Sequence, residues 1–214
     1  MKPTKEYNGR SRIRMFNCDC MDLMKSKPEN YWQLSIVDPP YGIDASKMNL
    51  GFSNSSKIEK KEWDNNAPTQ QYFDALFKVS VNQMIWGMNY FELPQTRGFV
   101  VWDKGPSMRG RSFAEAELCY ISFDSSARIF TKCAVNGLEK KIHKTQKPVQ
   151  LYKWLLTNYA KEGDTILDTH GGSMSIAIAC WDLGFDLDIC ELDTDYFNDA
   201  VKRFENHVAQ TQLF

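Results

Sequence analysis

The stretch "TILDTHGGSMSIAIACWDLGFDLDICEL" (165–192) decides the fold. "TILD" reads as a short buried strand, "SIAIACWDLG" as a helix and "FDLDICEL" as a second strand. Between the first strand and the helix lies a turn of small residues. Such a turn lets backbone approach a ligand, and the helix start offers free N–H groups. Glu191 stands nineteen positions after Gly172. In doubly wound folds an acid about 20 positions beyond the glycine turn takes the ribose hydroxyls of a nucleoside, because one carboxylate accepts both hydrogens of a vicinal diol. The GxGxxG spacing of dinucleotide sites is missing, which disfavours a nicotinamide oxidoreductase. Taken alone, the unit fits a nucleoside cofactor and simple strand–helix packing equally well.

Working outward, the same alternation recurs. "RIRMFN" (12–17) predicts a strand, "MDLMKS" a short helix, and 34–37 a buried strand. Pro68 is expected to open a helix with Phe73, Leu76 and Phe77 on one face. Strands follow at 83–87, 98–104 and 116–123, and Pro148 starts a helix carrying Leu151, Trp154, Leu155 and Tyr159 at helical spacing. The closing helix places Phe197, Ala200, Val201 and Phe204 on one side. Strands alternating with helices predict an α/β, Rossmann-like domain over 1–214, mainly parallel, with an antiparallel hairpin at one edge. Two segments resist this reading: 42–67, rich in Ser, Asn and Lys, and 131–147. Long aperiodic loops in a compact domain are functional or mobile.

The stretch "LSIVDPPYGI" (34–43) poses the chemical question. Four largely apolar residues run into Asp38-Pro39-Pro40-Tyr41, where no regular structure continues. Strand ends at the carboxyl edge of such a sheet are where ligands bind. Two prolines fix the backbone, so the carbonyls of Asp38 and Pro39 cannot be reclaimed by a helix. Asp38 adds a carboxylate, and Tyr41 a flat face for stacking a base. These are acceptors for an NH2 group beside a platform. The lone pair of an exocyclic amine is delocalised into its ring. Acceptors that grip both hydrogens favour the pyramidal, nucleophilic nitrogen, which is stabilisation specific to the transition state. The bland alternative is a turn that merely caps a strand.

Composition sets the bounds. At 214 residues, 43% hydrophobic and 25% charged, the chain is ordinary for a globular protein. With a net charge of -1, a nucleic-acid partner must be met by a local basic surface. Lys104, Arg109 and Arg111, in and beside a Gly-rich loop, are the preferred phosphate-facing candidates, with Lys57, Lys60 and Lys61 as a second cluster. No apolar run reaches the length of a membrane span and the N-terminus is polar, which predicts a cytoplasmic protein. The six cysteines lack zinc-site spacing, so no metal is expected.

"DPPY", "DTHGGSMS", "CELD" and "HKTQKP" together resemble amino-group DNA methyltransferases that use S-adenosylmethionine. With "DPPY" before the glycine turn, the order resembles the circularly permuted beta class. "FNCDCMDLM", "IWGMNYF" and "RGFVVWDKG" share its character, so the likeness runs from about Met15 to Phe204. It implies a seven-stranded sheet with one antiparallel strand. It further implies that Asp38, Pro39, Pro40 and Tyr41 hold a flipped-out adenine for N6 methylation in double-stranded DNA. Asp168, His170, Gly172 and Ser173 would line the methionine side of the cofactor, with Glu191 on its ribose, Asp19 at its adenine end, and Thr145 and Lys147 near its amino-acid part. S-adenosylhomocysteine would be the product. Segments 42–67 and 124–142 become candidate DNA-recognition elements, and the likeness admits a homodimer and a cognate restriction endonuclease. Cytosine-N4 methylation, RNA methylation and an inactive binder of cofactor or DNA are the alternatives. One departure stands out: the family's turn reads Phe-x-Gly-x-Gly, whereas His170, Gly172 and Met174 occupy those places here, and Met174 is expected to add bulk near the cofactor.

Overall fold

The structure is a computed structural model and describes residues 1–43, 64, 66–111, 114–133, 142–143 and 145–211. The elements follow the alternation of apolar runs. In chain order they are β1 (Lys5–Asn8), β2 (Arg12–Phe16), α1 (Cys20–Lys25), β3 (Trp32–Val37), α2 (Gln70–Val79), β4 (Ser80–Trp86), β5 (Phe99–Asp103), β6 (Ala116–Ile121), β7 (Arg128–Thr131), α3 (Val149–Tyr159), β8 (Thr165–Asp168), α4 (Ser175–Leu183), β9 (Asp186–Cys190) and α5 (Thr194–Thr211). Among the described residues they build one nine-stranded sheet of order β1-β2-β9-β8-β3-β4-β6-β5-β7. Seven strands run parallel, and β1 and β6 run against them.

The expected seven-stranded sheet with one antiparallel strand lies inside this one, from β2 to β5. The two outer strands were not expected. β1 and β7 are four residues each and mostly exposed, so they bury no apolar face and leave no alternation to read. A second difference is smaller: α2 begins at Gln70 behind Thr69, two residues after Pro68.

Side chains alternate across the central strands, as a sheet covered on both faces requires. On β4, Met84 and Trp86 join the cluster beneath α3, α4 and α5, while Ile85 joins the one beneath α1 and α2. Each large side chain buried this way contributes about 1.5–3 kcal/mol. The one inward acid of β9, Asp188, is satisfied by Arg14 at 2.5 and 2.7 Å and by the Trp32 indole at 3.0 Å, which ties β2, β3 and β9 together.

The connections fix the site. From β3 the chain passes through α2 to β4 on one side, and from β8 through α4 to β9 on the other. Strands β3 and β8 are parallel neighbours, with Leu34 opposite Ile166 and Ser35 opposite Leu167. The chain thus leaves two adjacent strands in opposite directions, which opens a crevice at their carboxyl ends. The proline tip and the glycine turn both stand at that crevice.

Candidate active site

A cavity of about 1000 Å³ occupies the crevice, walled by 38–41 after β3 and by 169–173 after β8. That is the upper end of small-molecule pockets. The proline tip is clamped from one side by a single carboxylate. Asp64 accepts from the Tyr41 N–H at 2.7 Å, the Gly42 N–H at 3.1 Å and the Ile43 N–H at 3.3 Å.

On the other side, the Asp38 carboxylate accepts from the Tyr41 hydroxyl at 2.7 Å and pairs with Lys147 Nζ at 2.5 Å. Lys147, only 2% exposed, also reaches Glu117 Oε2 at 2.9 Å. Glu117 lies on β6 and pairs through Oε1 with Lys104 at 2.7 Å. Two carboxylates and two ammoniums therefore alternate in one chain along the wall. Burial pushes the Asp38 carboxyl up, and Lys147 opposes this only in part. Burial also raises Glu117, but the two lysines outweigh it and hold that group down at about 2. Burial works against the charge of Lys147 as well, yet its two carboxylate partners raise its pKa.

Tyr41 has neighbours on several sides. Its ring stacks on Tyr90 at 4.9 Å and 14°, and it meets the edge of Phe91 at 6.0 Å. Gly87, directly after β4, has φ +76°, and a Cβ there would lie 2.3 Å from Tyr41 Cε1. Gly87→Ala is therefore expected to strain the backbone and dislodge the ring. That costs about 1–3 kcal/mol, which thermal melting would show as a drop of about 5 °C.

The glycine turn is built from backbone. Gly172 has φ +49° and Met174 φ +53°. A left-handed non-glycine residue costs about 1–2 kcal/mol, which explains why the family pattern carries glycine at that place. The Met174 side chain is fully buried in the cluster under α3, α4 and α5 and does not line the cavity. The bulk expected near a ligand is absorbed by the core instead. Beyond Gly172 the nearest atom to a built Cβ is His143 Cγ at 3.9 Å, so a guest can approach the backbone. Arg203, from α5, donates to the Ser173 carbonyl at 2.7 Å and braces the turn.

Glu191 ends β9 on the cavity wall. It accepts from the Gly172 N–H at 2.8 Å and the Asp193 N–H at 2.9 Å, one on each oxygen. Each oxygen retains capacity for a further hydrogen bond. Burial raises its pKa. Asp168 lies beneath the floor and does not line the cavity. It accepts from the His170 N–H at 3.0 Å, and burial pushes its carboxyl up to about 8. Burial takes His170 down to about 4, so its ring is neutral at neutral pH; Nδ1 lies 2.9 Å from Thr169 Oγ1. Asp19 caps α1 by accepting from the Met21 N–H at 2.7 Å and lines the cavity. Thr145 lines it too, with Oγ1 3.2 Å from His143 Nδ1.

Asp38, Pro39, Pro40, Tyr41, Asp19, His170, Gly172, Ser173, Glu191, Thr145 and Lys147 thus share one cavity. Three of the expected settings differ. Asp168, expected along the cofactor, stays out of the cavity lining. Lys147 sits between the carboxylates of the reacting end. Lys104 turns onto Glu117 and lies 5.3 Å from the Trp102 ring centroid, rather than standing open to a phosphate. Arg109 is exposed, 3.9 Å from Asp103, and Arg111 is exposed. Lys57, Lys60, Lys61 and most of 42–67 lie outside the described residues, as does 134–141 of the segment 124–142. Asp64, Glu117 and Arg203 went unread in the sequence. None belongs to a local pattern, and each acts on a segment distant along the chain.

Comparison with solved structures finds the same fold. M1.HpyAVI, solved in complex with SAM, is 18% identical with a TM-score of 0.57, covering 89% of this chain and 98% of that one. A putative DNA modification methylase from Thermus thermophilus, complexed with S-adenosyl-L-methionine, is 15% identical at 0.54, covering 91% and 95%. PvuII DNA methyltransferase, cytosine-N4-specific, is 12% identical at 0.61, covering 97% and 92%. No curated protein matches by sequence. A family model of N6 and N4 methyltransferases, described as DNA methylase, matches residues 80–202, more than half the chain. The chain therefore belongs to the N6/N4 DNA methylase family.

Proposed function

We propose that this protein transfers a methyl group from S-adenosylmethionine to the N6 of adenine in double-stranded DNA. The observation that carries the reading is the placement of the Asp38–Tyr41 tip and the Gly172 turn on adjacent parallel strands facing one cavity. The residues suit the cofactor: open backbone at Gly172, a ribose-sized carboxylate at Glu191 with lone pairs to spare, and Asp19 at the far wall. When bound, the cofactor supplies an electrophilic methyl group. Asp38 and the carbonyl of Pro39 accept the two hydrogens of the target amine and orient its lone pair toward the glycine turn. Because N6 is paired within a duplex, the adenine must be extruded into the pocket.

Aspartate at the head of the proline motif favours adenine, and Tyr90, already stacked on Tyr41 and 44% exposed, is placed to meet the extruded base. Arg109 and Arg111 are the proposed phosphate contacts, and the chain order corresponds to the permuted beta class. Incubation with tritiated cofactor and unmethylated genomic DNA, followed by digestion, should place label on N6-methyldeoxyadenosine. Label on N4-methylcytosine would move the assignment to the other amine, and label only on RNA or nowhere would overturn it.

A further inference from the structure

A buried lysine and a half-buried one at the reacting end present an electrostatic difficulty. Transfer breaks the carbon–sulfur bond with its electron pair left on sulfur, and the amine lone pair forms the carbon–nitrogen bond. The positive charge starts on sulfur, arrives on the amine nitrogen, and leaves with a proton to water. Throughout, the cavity must hold a cation beside Asp38. Yet Lys147 sits 2.5 Å from that carboxylate and Lys104 stands on the same wall. Asp64 is engaged by three N–H groups of the tip, and Glu191 by those of Gly172 and Asp193. Without Glu117 the Asp38 carboxylate would therefore face both ammoniums, and that local positive excess would weaken the hold on the donor and the nascent product.

Glu117 resolves this. It comes from β6, the antiparallel strand, and not from either strand that carries a recognised motif. Its two oxygens split between the lysines, at 2.7 Å to Lys104 and 2.9 Å to Lys147, and Oε2 lies 3.5 Å from the Tyr41 hydroxyl. Its side chain is 17% exposed, so solvent screens it little. By sharing Lys147 it also keeps that ammonium from neutralising Asp38 alone.

We propose that Glu117 is a positioning residue that, together with Asp38, balances the charges of Lys104 and Lys147, so that the cavity accepts a cationic methyl donor and keeps Asp38 available to the amine. This rests on the methyl-transfer reading above. It assigns Lys104 to the same wall as a counterweight and not to a DNA phosphate.

The test compares binding of S-adenosylmethionine, whose sulfonium is cationic, with S-adenosylhomocysteine, whose thioether is neutral, by calorimetry on the full chain. Glu117→Gln should weaken the cationic ligand by roughly tenfold or more relative to the neutral one. Adding Lys104→Met, which removes the uncompensated positive charge, should restore most of that preference. Single-turnover transfer should fall and recover in parallel. Equal weakening of both ligands by Glu117→Gln, or no recovery in the double variant, would overturn the proposal and leave Glu117 a scaffold residue. Variants that shift the ligand preference as described, in a protein whose wild type methylates no DNA, would overturn the substrate assignment while leaving the role of Glu117 intact. Failure of the wild type to bind S-adenosylmethionine would overturn both.

Discussion

Asp38→Ala is expected to reduce methyl transfer by roughly 10²–10³-fold, the size of effect seen when one group aimed at developing transition-state charge is removed. Cofactor affinity should change little, because the residues proposed for the cofactor lie just after β8, just after β9 and at the cap of α1. Single-turnover rates and calorimetric binding on the same preparation separate the two. The geometry gives the reason for the split. Asp38 meets Tyr41 and Lys147, and both of those belong to the reacting end. A parallel loss of cofactor binding would mean that Asp38 holds the scaffold instead.

Lys147→Met should produce the largest effect on stability. Lys147 is buried and bridges two carboxylates, and burial already pushes Asp38 up. Removing one member of a buried ion network leaves its partners uncompensated, at a cost of about 3–5 kcal/mol. For a chain of this size that is a fall of roughly 10 °C in Tm. Activity should be lost with it, since an uncompensated Asp38 takes up a proton and loses an acceptor. An apolar replacement of all four groups, Asp38, Lys147, Glu117 and Lys104, would by contrast be close to neutral for folding. The network is therefore explained by chemistry at the cavity and not by stability. Differential scanning calorimetry of the single and quadruple variants checks both statements.

The central strands and their helices were legible because each buries an apolar face, and burial writes a period of two or near four into the sequence. Met84, Ile85 and Trp86 show it on β4, and Leu151 and Leu155 on α3. The exposed edge strands β1 and β7 were not, having no face to bury. Within the site, local motifs revealed Asp38 to Tyr41, the turn at 169–173 and Glu191, since a strand end and the bend after it are contiguous in the chain. Glu117 was missed because nothing near it in sequence marks it: Lys147 is thirty positions later and Asp38 far earlier. The setting of Lys147 was missed for the same reason. The resemblance carried by "HKTQKP" put it near the cofactor's amino-acid part, whereas it sits between Asp38 and Glu117.

The opposed crossovers at β3 and β8 carry a further consequence. On the proposed reading, residues that follow β3 and Glu117 on β6 serve the acceptor, while residues that follow β8 and β9 serve the donor. Substitutions that change the accepted nucleobase would then fall in one half and leave the other unchanged. Such an architecture would separate the choice of acceptor from the supply of the group it receives.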